Sequence, residues 1–387
     1  MKKRNNVIVI IFMFIIMLLI SMGDNVRGVF IPVFKKYFNV NDTYMGLMLT
    51  VSSLGYMTFT FLGGILCEKI GQKKVMILGL LSSIIAMLIL YISPNFTILL
   101  IGMFIINMGV SLMAIGVNTL IPVLSIGFQA ILMNMIHSFY GVGATVTQRL
   151  AGLLLFEGVG WRTIYLYMMG IFIFVLLIFS FIKIPEPDKV SNNKKIDWNY
   201  ILKNKLTYFY MIALGLYVSA EMSTSNWFIN FMRESYGFNE NESAFYSSLF
   251  LGIFTFGRII GGFIVERIGH LKSVVISSSL ATILYSAGII LGKEGLIIIS
   301  ISGLFFSITF PTLVVTINKV FTKNSSFITG FVITVASGIS MVVNFLIGVF
   351  NDLIGTYNSY YLIATSLLIS TLFTILILKS TKGVKME

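Results

Sequence analysis

Twelve apolar runs, separated by short polar segments, constrain the fold of this chain more than any other feature of its sequence. A helix of about 20 residues crosses the apolar core of a membrane, and each run is long enough to do so. The composition agrees, because 57% of the residues are hydrophobic and only 11% are charged. The sequence therefore predicts an all-α integral membrane protein with twelve transmembrane helices, near residues 7–34, 43–66, 74–93, 96–120, 128–156, 161–183, 205–231, 243–265, 273–292, 296–319, 325–350 and 357–378.

The longest hydrophilic stretch divides the twelve runs into two groups of six. It contains two prolines and a polar run at residues 191–195, which is typical of a linker. The chain is therefore predicted to consist of an N-terminal half at residues 1–184, a cytoplasmic linker at residues 185–204 and a C-terminal half at residues 205–387.

The distribution of Lys and Arg predicts the orientation in the membrane. Of the 27 basic residues, 19 lie in the segments on one side and 5 lie in the loops on the other. The side with the excess is expected to face the cytoplasm. We therefore expect a multi-pass protein of the cell membrane with both termini in the cytoplasm. The basic residues are not gathered into one domain, so no nucleic acid partner is expected.

A short charged hairpin follows the second span, and a second copy follows the eighth span 198 residues later. Both copies combine Gly-Gly, an acid–base pair and Ile-Gly, and the glycines would let helices 2 and 11 approach closely. The pattern resembles the signature loop of the major facilitator superfamily, which implies two pseudo-symmetric six-helix bundles. The residues predicted to have structural or gating roles are Gly64, Glu68, Lys69, Gly71 and Lys73 in the first copy, Glu266 and Arg267 in the second, and Arg258 in the eighth span.

Two acids, Asp24 and Glu221, lie well inside predicted spans, at similar depths in the first helix of each half. An ionisable group at mid-membrane costs roughly 2.5–3.5 kcal/mol on insertion scales, so both are candidates for proton coupling. The alternative for Glu221 is a structural ion pair with Arg258. The alternative for Asp24 is a local ion pair with Arg27, which lies three positions further along the same helix face.

The fifth span carries three hydrogen-bonding side chains on one face, because Asn134, His137 and Tyr140 are spaced three residues apart. Exposing such a polar face to lipid would be energetically unfavourable, so this face is expected to point into the bundle. His137 is therefore a third candidate for proton transfer. A structural histidine is an equally good interpretation of the same pattern.

Several segments together resemble the fucose–galactose–glucose:proton symporter family. They include an Asp-Asn-x-x-Gly-x-x-x-Pro pattern at residues 24–32 and a His-Ser-Phe-Tyr-Gly pattern at residues 137–141. Ala114 stands where the fucose branch has an acid, so a coupled proton would have to be carried by Glu221 or Asp24. The resemblance implies a monosaccharide substrate, which needs hydrogen-bonding groups and an aromatic face. The candidates for this role are Asn25, Asn118, Asn134, Tyr140, Gln148, Asn226 and Trp227.

The leading hypothesis is a secondary active transporter that takes up a hexose-like sugar with protons by alternating access, working as a monomer in the lipid bilayer. One alternative is an exporter of an amphipathic drug or a lipid-linked sugar. An alternative of another class is a membrane receptor or scaffold that transports nothing. The sequence contains no nucleophile–base pair, phosphate loop or metal motif, so neither an enzyme nor a bound metal or other cofactor is expected.

Overall fold

The computed structural model describes residues 2–124, 129–184, 198–321 and 325–381. These residues form helices joined by short turns, with no strand among them, and one 3₁₀ turn, Gly292–Gly295, precedes α11. The helices are α1 (Lys2–Phe38), α2 (Asp42–Ile70), α3 (Gln72–Ile92), α4 (Phe96–Leu124), α5 (Gln129–Phe156), α6 (Trp161–Phe181), α7 (Trp198–Lys203), α8 (Lys205–Tyr236), α9 (Glu240–Ile268), α10 (His270–Ile290), α11 (Leu296–Phe306), α12 (Thr309–Val320), α13 (Ser325–Ile354), α14 (Thr356–Ser359) and α15 (Tyr361–Ser380).

Every predicted span corresponds to one long helix or to two consecutive helices, which confirms the all-α membrane fold. Ten of the spans are long and apolar enough to cross a membrane in the part of the chain that the structure describes. The remaining two, α5 and α8, are 28 and 32 residues long but carry more polar side chains. These two helices contain His137 and Glu221, so their polarity coincides with the candidate functional residues.

Several helix ends are set by residues that satisfy terminal backbone groups. The side chain of Asn41 accepts a hydrogen bond from the amide of Tyr44 at 3.2 Å and thereby caps α2. Asn204 caps α8 in the same way, through the amide of Leu206 at 3.0 Å. At the other end of α8, Gly237 adopts the left-handed conformation that commonly terminates helices.

The two charged hairpins have the same backbone geometry. Gly71 links α2 to α3 with φ 86° and ψ 154°, and Gly269 links α9 to α10 with φ 93° and ψ 147°. Each glycine amide donates to the carbonyl four residues earlier, at 3.1 Å for Cys67 and at 2.9 Å for Val265. Only glycine adopts this combination of angles without strain, which explains why both copies of the repeat carry it.

The charged side chains of the hairpins lie at the surface of the chain. The acid–base pairs, Glu68 with Lys69 and Glu266 with Arg267, are all exposed. Lys73 Nζ donates to the carbonyl of Ser180 at 2.6 Å, so it caps the C-terminal end of α6.

Of the two neighbouring glycines in the first hairpin, only Gly63 lies against another helix of its half. A Cβ added at Gly63 would lie 2.7 Å from Ile115 Cγ2 on α4, whereas one added at Gly64 would meet no described atom within 4 Å. Within this half, the close helix approach therefore depends on Gly63, and the role expected of Gly64 stays a prediction.

The tenth predicted span is interrupted, which the apolar run did not indicate. Helix α11 ends at Phe306 and α12 begins at Thr309; Ser307 and Ile308 between them keep right-handed helical angles, but the regular hydrogen bonding of the helix is interrupted there. Pro311 explains the position, because a proline has no amide hydrogen and its ring clashes with the carbonyl four residues earlier, here Ser307. The break frees backbone carbonyls inside the membrane, and these need other hydrogen-bond donors.

The chain divides into two compact units, one comprising Met1–Ser191 with Asn239–Ser248 and the other comprising Asn192–Phe238 with Leu249–Glu387. In the first unit, α4 packs against α2 and α3, and α1 packs against α5. In the second unit, α8 packs against α13 and α15, and α10 packs against α11 and α15. Helices α1 and α8, which carry the two intramembrane acids, each have several neighbours within their own unit.

Candidate functional site

Asp24 in α1 has both carboxylate oxygens occupied by partners from its own unit. Oδ1 lies 2.9 Å from Arg27 Nη2, in the ion pair that the spacing of three residues allows. Oδ2 accepts a hydrogen bond from the Tyr140 hydroxyl at 2.6 Å, which connects α1 to α5. The Asp24 side chain is 17% exposed, so this pair is largely desolvated. Its two short contacts are charge-assisted, which makes them stronger than contacts between neutral groups.

Further amides extend this cluster to α4 and α5. Arg27 Nη1 donates to Asn107 Oδ1 at 3.2 Å, and Asn107 was not recognised from the sequence because it lies 80 positions away in an apolar helix. Asn25 Nδ2 donates to the Tyr140 hydroxyl oxygen at 3.1 Å and to the backbone of Ser21 at 3.1 Å. The first unit therefore contains a continuous polar network around one buried ion pair.

Glu221 in α8 forms the corresponding ion pair of the second unit with a residue on another helix. Its Oε1 lies 3.5 Å from Arg258 Nη2 on α9, and the two side chains are 13% and 22% exposed. Arg258 also lies over the ring of Phe254, 4.4 Å from its centroid, which favours the cation. Its Nε is buried without a hydrogen bond in the described part of the chain. This ion pair is longer and less fully satisfied than that of Asp24.

Tyr217 joins Glu221 to the break in the tenth span. The tyrosine lies one turn before Glu221 on α8 and is buried, and its hydroxyl donates to the carbonyl of Phe306 at 2.5 Å. Tyr217 and Glu221 are four residues apart on α8, so their side chains lie on the same face of the helix. The sequence indicated Tyr217 only as part of a family pattern, because nothing in the local sequence shows that a carbonyl on α11 is free.

Besides Asn25 and Tyr140, which belong to the Asp24 network, three further predicted sugar contacts are buried. Asn226 is buried and donates to Asn344 Oδ1 on α13 at 3.1 Å. Gln148 is buried, donates to the carbonyl of Asn25 at 3.4 Å and accepts from Ser247 Oγ at 2.5 Å. Trp227 is 1% exposed, so its ring is almost completely buried.

Three predicted site residues remain, and the structure describes the burial of two of them. Asn118 on α4 is partly buried, and its Oδ1 has no hydrogen bond among the described residues. His137 on α5 is also partly buried. The side chain of Asn134 lies outside the described part of the chain. The proposed roles of these three residues stay predictions.

The combination of long apolar helices with buried ion pairs and polar networks is characteristic of a polytopic membrane transporter. The comparison with known families is specific, because residues 13–326 match the Major Facilitator Superfamily. The chain belongs to this superfamily. It is therefore a multi-pass membrane transporter that moves a small-molecule substrate, and it is not an enzyme.

Among curated proteins, several are similar to this chain over most of their length. A protein called TsgA homolog, from Buchnera aphidicola subsp. Baizongia pistaciae, is 25% identical over 78% of this chain and 77% of its own. The hexuronate transporter of Bacillus subtilis is 21% identical over 95% of this chain and 93% of its own. The L-fucose-proton symporter of Escherichia coli is 22% identical over 76% of this chain and 75% of its own.

Solved structures agree with the fold. A bacterial homolog of the human lysosomal transporter Spinster superposes with a TM-score of 0.84 at 13% identity, covering 99% of both chains. A D-xylose-proton symporter superposes with a TM-score of 0.77 at 11% identity, covering 95% of this chain and 96% of its own. At these identities the likeness establishes the fold alone.

Proposed function

We propose that this transporter takes up a neutral hexose-like sugar together with protons, and that Glu221 carries the coupled proton. The two halves would alternate access to a central site, and protonation of Glu221 would favour one of the two orientations. The cytoplasmic location of both termini belongs to the same proposal. The observation that carries it is the ion pair between Glu221 and Arg258, which is largely buried, 3.5 Å long and formed between two different helices.

The choice of Glu221 over Asp24 rests on how far each carboxylate is satisfied. Asp24 is held by Arg27 on its own helix at 2.9 Å and by a tyrosine hydroxyl at 2.6 Å. Protonating it would remove the charge that strengthens two short bonds, inside a network that connects three helices. The Glu221 pair is longer, and breaking it would uncouple α8 from α9. A carboxyl group that links two helices and loses its charge on protonation is suited to a transport cycle.

The names of two relatives and the pairing of two intramembrane arginines support the choice of substrate class. One relative is named for L-fucose and protons, and another is named for hexuronate. Arg27 and Arg258 are each paired with an acid, so neither presents an uncompensated positive charge to an anion. A neutral sugar would instead exchange hydrogen bonds with amides such as that of Asn118, whose oxygen has spare capacity.

A sugar acid is the second candidate, because of the state that protonation would create at Arg258. Neutralising Glu221 would leave a cation whose Nε already lacks a hydrogen bond, and a carboxylate could then bind to it. The two candidates differ in net charge. With one proton per substrate, a neutral sugar carries one positive charge inward, whereas a sugar acid with one negative charge carries none.

Transport by purified protein in proteoliposomes tests the proposal. Galactose, fucose, glucuronate and galacturonate would be offered under an inward proton gradient, with and without an imposed membrane potential. We expect accumulation of a neutral sugar that increases with an inside-negative potential. Accumulation of a uronate that does not respond to the potential would instead favour the sugar acid.

The Glu221→Gln variant tests the role of the carboxyl group. It should abolish accumulation against a gradient but retain exchange of internal for external substrate, because exchange needs no net proton movement. Glu294→Gln is the matched control, since Glu294 is an exposed acid in a loop of the same half. Unchanged accumulation in Glu221→Gln would remove the proton role of this residue.

A further inference from the structure

The break between α11 and α12 exposes three consecutive backbone carbonyls, and each is satisfied by a hydroxyl group. Ser307 Oγ donates to the carbonyl of Leu304 at 2.6 Å. Ser277 Oγ on α10 donates to the carbonyl of Phe305 at 2.7 Å. Tyr217 on α8 donates to the carbonyl of Phe306 at 2.5 Å. The geometry of the break therefore depends on bonds from other helices, since it lacks the regular hydrogen bonds of a continuous helix.

The helix that carries Arg258 packs directly against this break. A Cβ added at Gly257 would lie 2.5 Å from Ser307 Oγ and 2.9 Å from the carbonyl oxygen of Leu304, and one added at Gly261 would collide with Ile308. The two glycines flank Arg258 and bring the backbone of α9 into close contact with residues 304–308. Both members of the ion pair are therefore connected to the break, Arg258 through its neighbours and Glu221 through Tyr217.

The environment of Glu221 contains few groups that could respond to its charge. In the described part of the chain, the titratable groups that face it are Arg258 from α9 and Tyr217 on α8 itself. Helices α7, α12, α13, α14 and α15 also pack against α8, and no charged side chain from their described residues acts on Glu221.

Tyr217 has one hydroxyl proton, which it donates to the Phe306 carbonyl, and the Glu221 carboxylate, one turn further on the same face of α8, is a second acceptor for it. An ionised Glu221 competes for this proton. A protonated Glu221 no longer competes and can itself donate to the tyrosine oxygen, which leaves the tyrosine proton with Phe306.

We propose that Tyr217 is a positioning residue that couples the protonation of Glu221 to the geometry of the α11–α12 break. The bond to Phe306 is strengthened when Glu221 is protonated and weakened when it is ionised. The proposal rests on the proposed function, because it takes Glu221 as the group that changes protonation during transport. It adds the element of the fold that would respond to that change.

Amide hydrogen exchange of the break, measured at acidic and neutral pH, tests this coupling without depending on transport. We expect the exchange rate over residues 303–312 to differ between the two pH values, after correction for intrinsic exchange, by about twofold to tenfold. This factor corresponds to the loss of one hydrogen bond. Tyr217→Phe should remove the difference.

Tyr210→Phe is the matched control. Tyr210 is also buried on α8 and also donates to the tenth span, through Thr316 Oγ1 on α12 at 3.0 Å, but it lies two turns further from Glu221. This variant should keep the pH-dependent exchange of the break. Size-exclusion profiles and sugar-dependent thermal shifts would show that both variants are folded.

Uptake assays separate a failure of this inference from a failure of the proposed function. We expect Tyr217→Phe to move the midpoint of the pH profile of uptake to higher pH, because the charged Glu221 loses a hydroxyl that interacts with it. If Glu221→Gln abolishes accumulation while Tyr217→Phe behaves like Tyr210→Phe in both assays, the coupling through Tyr217 is wrong. If Glu221→Gln leaves accumulation unchanged, the proposed function is wrong as well.

Discussion

Replacing Asp24 with asparagine is expected to destabilise the protein while leaving transport coupled to protons. In the wild-type protein the Asp24 carboxylate contacts Arg27 at 2.9 Å and Tyr140 at 2.6 Å, and the Arg27 side chain is only 9% exposed. The variant leaves Arg27 buried without its negatively charged partner. Removal of one partner of a buried ion pair costs roughly 3–5 kcal/mol, because the remaining charge is not compensated.

The structure places the expected loss at the lower end of that range. Arg27 keeps its hydrogen bond to Asn107 at 3.2 Å, which compensates part of the charge. We therefore expect a decrease of about 3 kcal/mol in the free energy of unfolding. Thermal unfolding of the purified protein in detergent measures the effect as a lower melting temperature, and sugar uptake is measured at several pH values on the same preparation.

The double variant Asp24→Asn/Arg27→Gln tests whether the uncompensated charge of Arg27 causes the loss of stability. It removes both charges, so it should lose less stability than the single variant, although the two substitutions affect more bonds. A melting temperature that is unchanged in Asp24→Asn would contradict the interpretation, and so would a double variant less stable than the single one. Loss of proton-coupled accumulation in a well-folded Asp24→Asn protein would transfer the coupling role to Asp24.

Two further substitutions test particular features of the structure. Gly71→Ala should cost roughly 1–3 kcal/mol of stability, because φ 86° with ψ 154° strains any residue with a Cβ. Gly64→Ala is the control and should cost less than about 0.5 kcal/mol, because its Cβ would meet no described atom within 4 Å. Equal losses of stability in the two variants would contradict the explanation by backbone strain. Trp227→Phe should leave the KM for sugar, measured by initial uptake rates, within about twofold of wild type, since the indole is buried. An increase in KM of more than tenfold would show that the ring reaches the substrate.

The features that the sequence predicted well are those determined by local patterns. Apolar runs of about 20 residues predicted every span, since a membrane imposes that length on any helix that crosses it. The spacing of three residues between Asp24 and Arg27 made their ion pair possible, and it is present. The repeated Ile-Gly of the hairpins pointed to equivalent turns, and Gly71 and Gly269 have nearly equal backbone angles.

The features that the sequence did not predict depend on contacts between distant segments. Asn107 lies 80 positions from Arg27, and an asparagine in an apolar helix does not indicate its partner. Pro311 was a local signal for the break, but prolines do not always interrupt helices, as Pro32 lies inside the continuous α1. Trp227 was expected at the substrate because of its type, whereas its burial is decided by the helices around it.

The most direct test of proton coupling through Glu221 is the pH of the medium around sugar-free proteoliposomes when sugar is added, with wild-type and Glu221→Gln protein compared in parallel. Wild-type protein should make the medium more alkaline, because each sugar that enters takes a proton from it. Glu221→Gln should produce no such change, although in proteoliposomes loaded with sugar it should still exchange internal for external sugar. An equal alkalinisation with both proteins, or none with a wild-type protein that transports the sugar, would contradict proton coupling through Glu221.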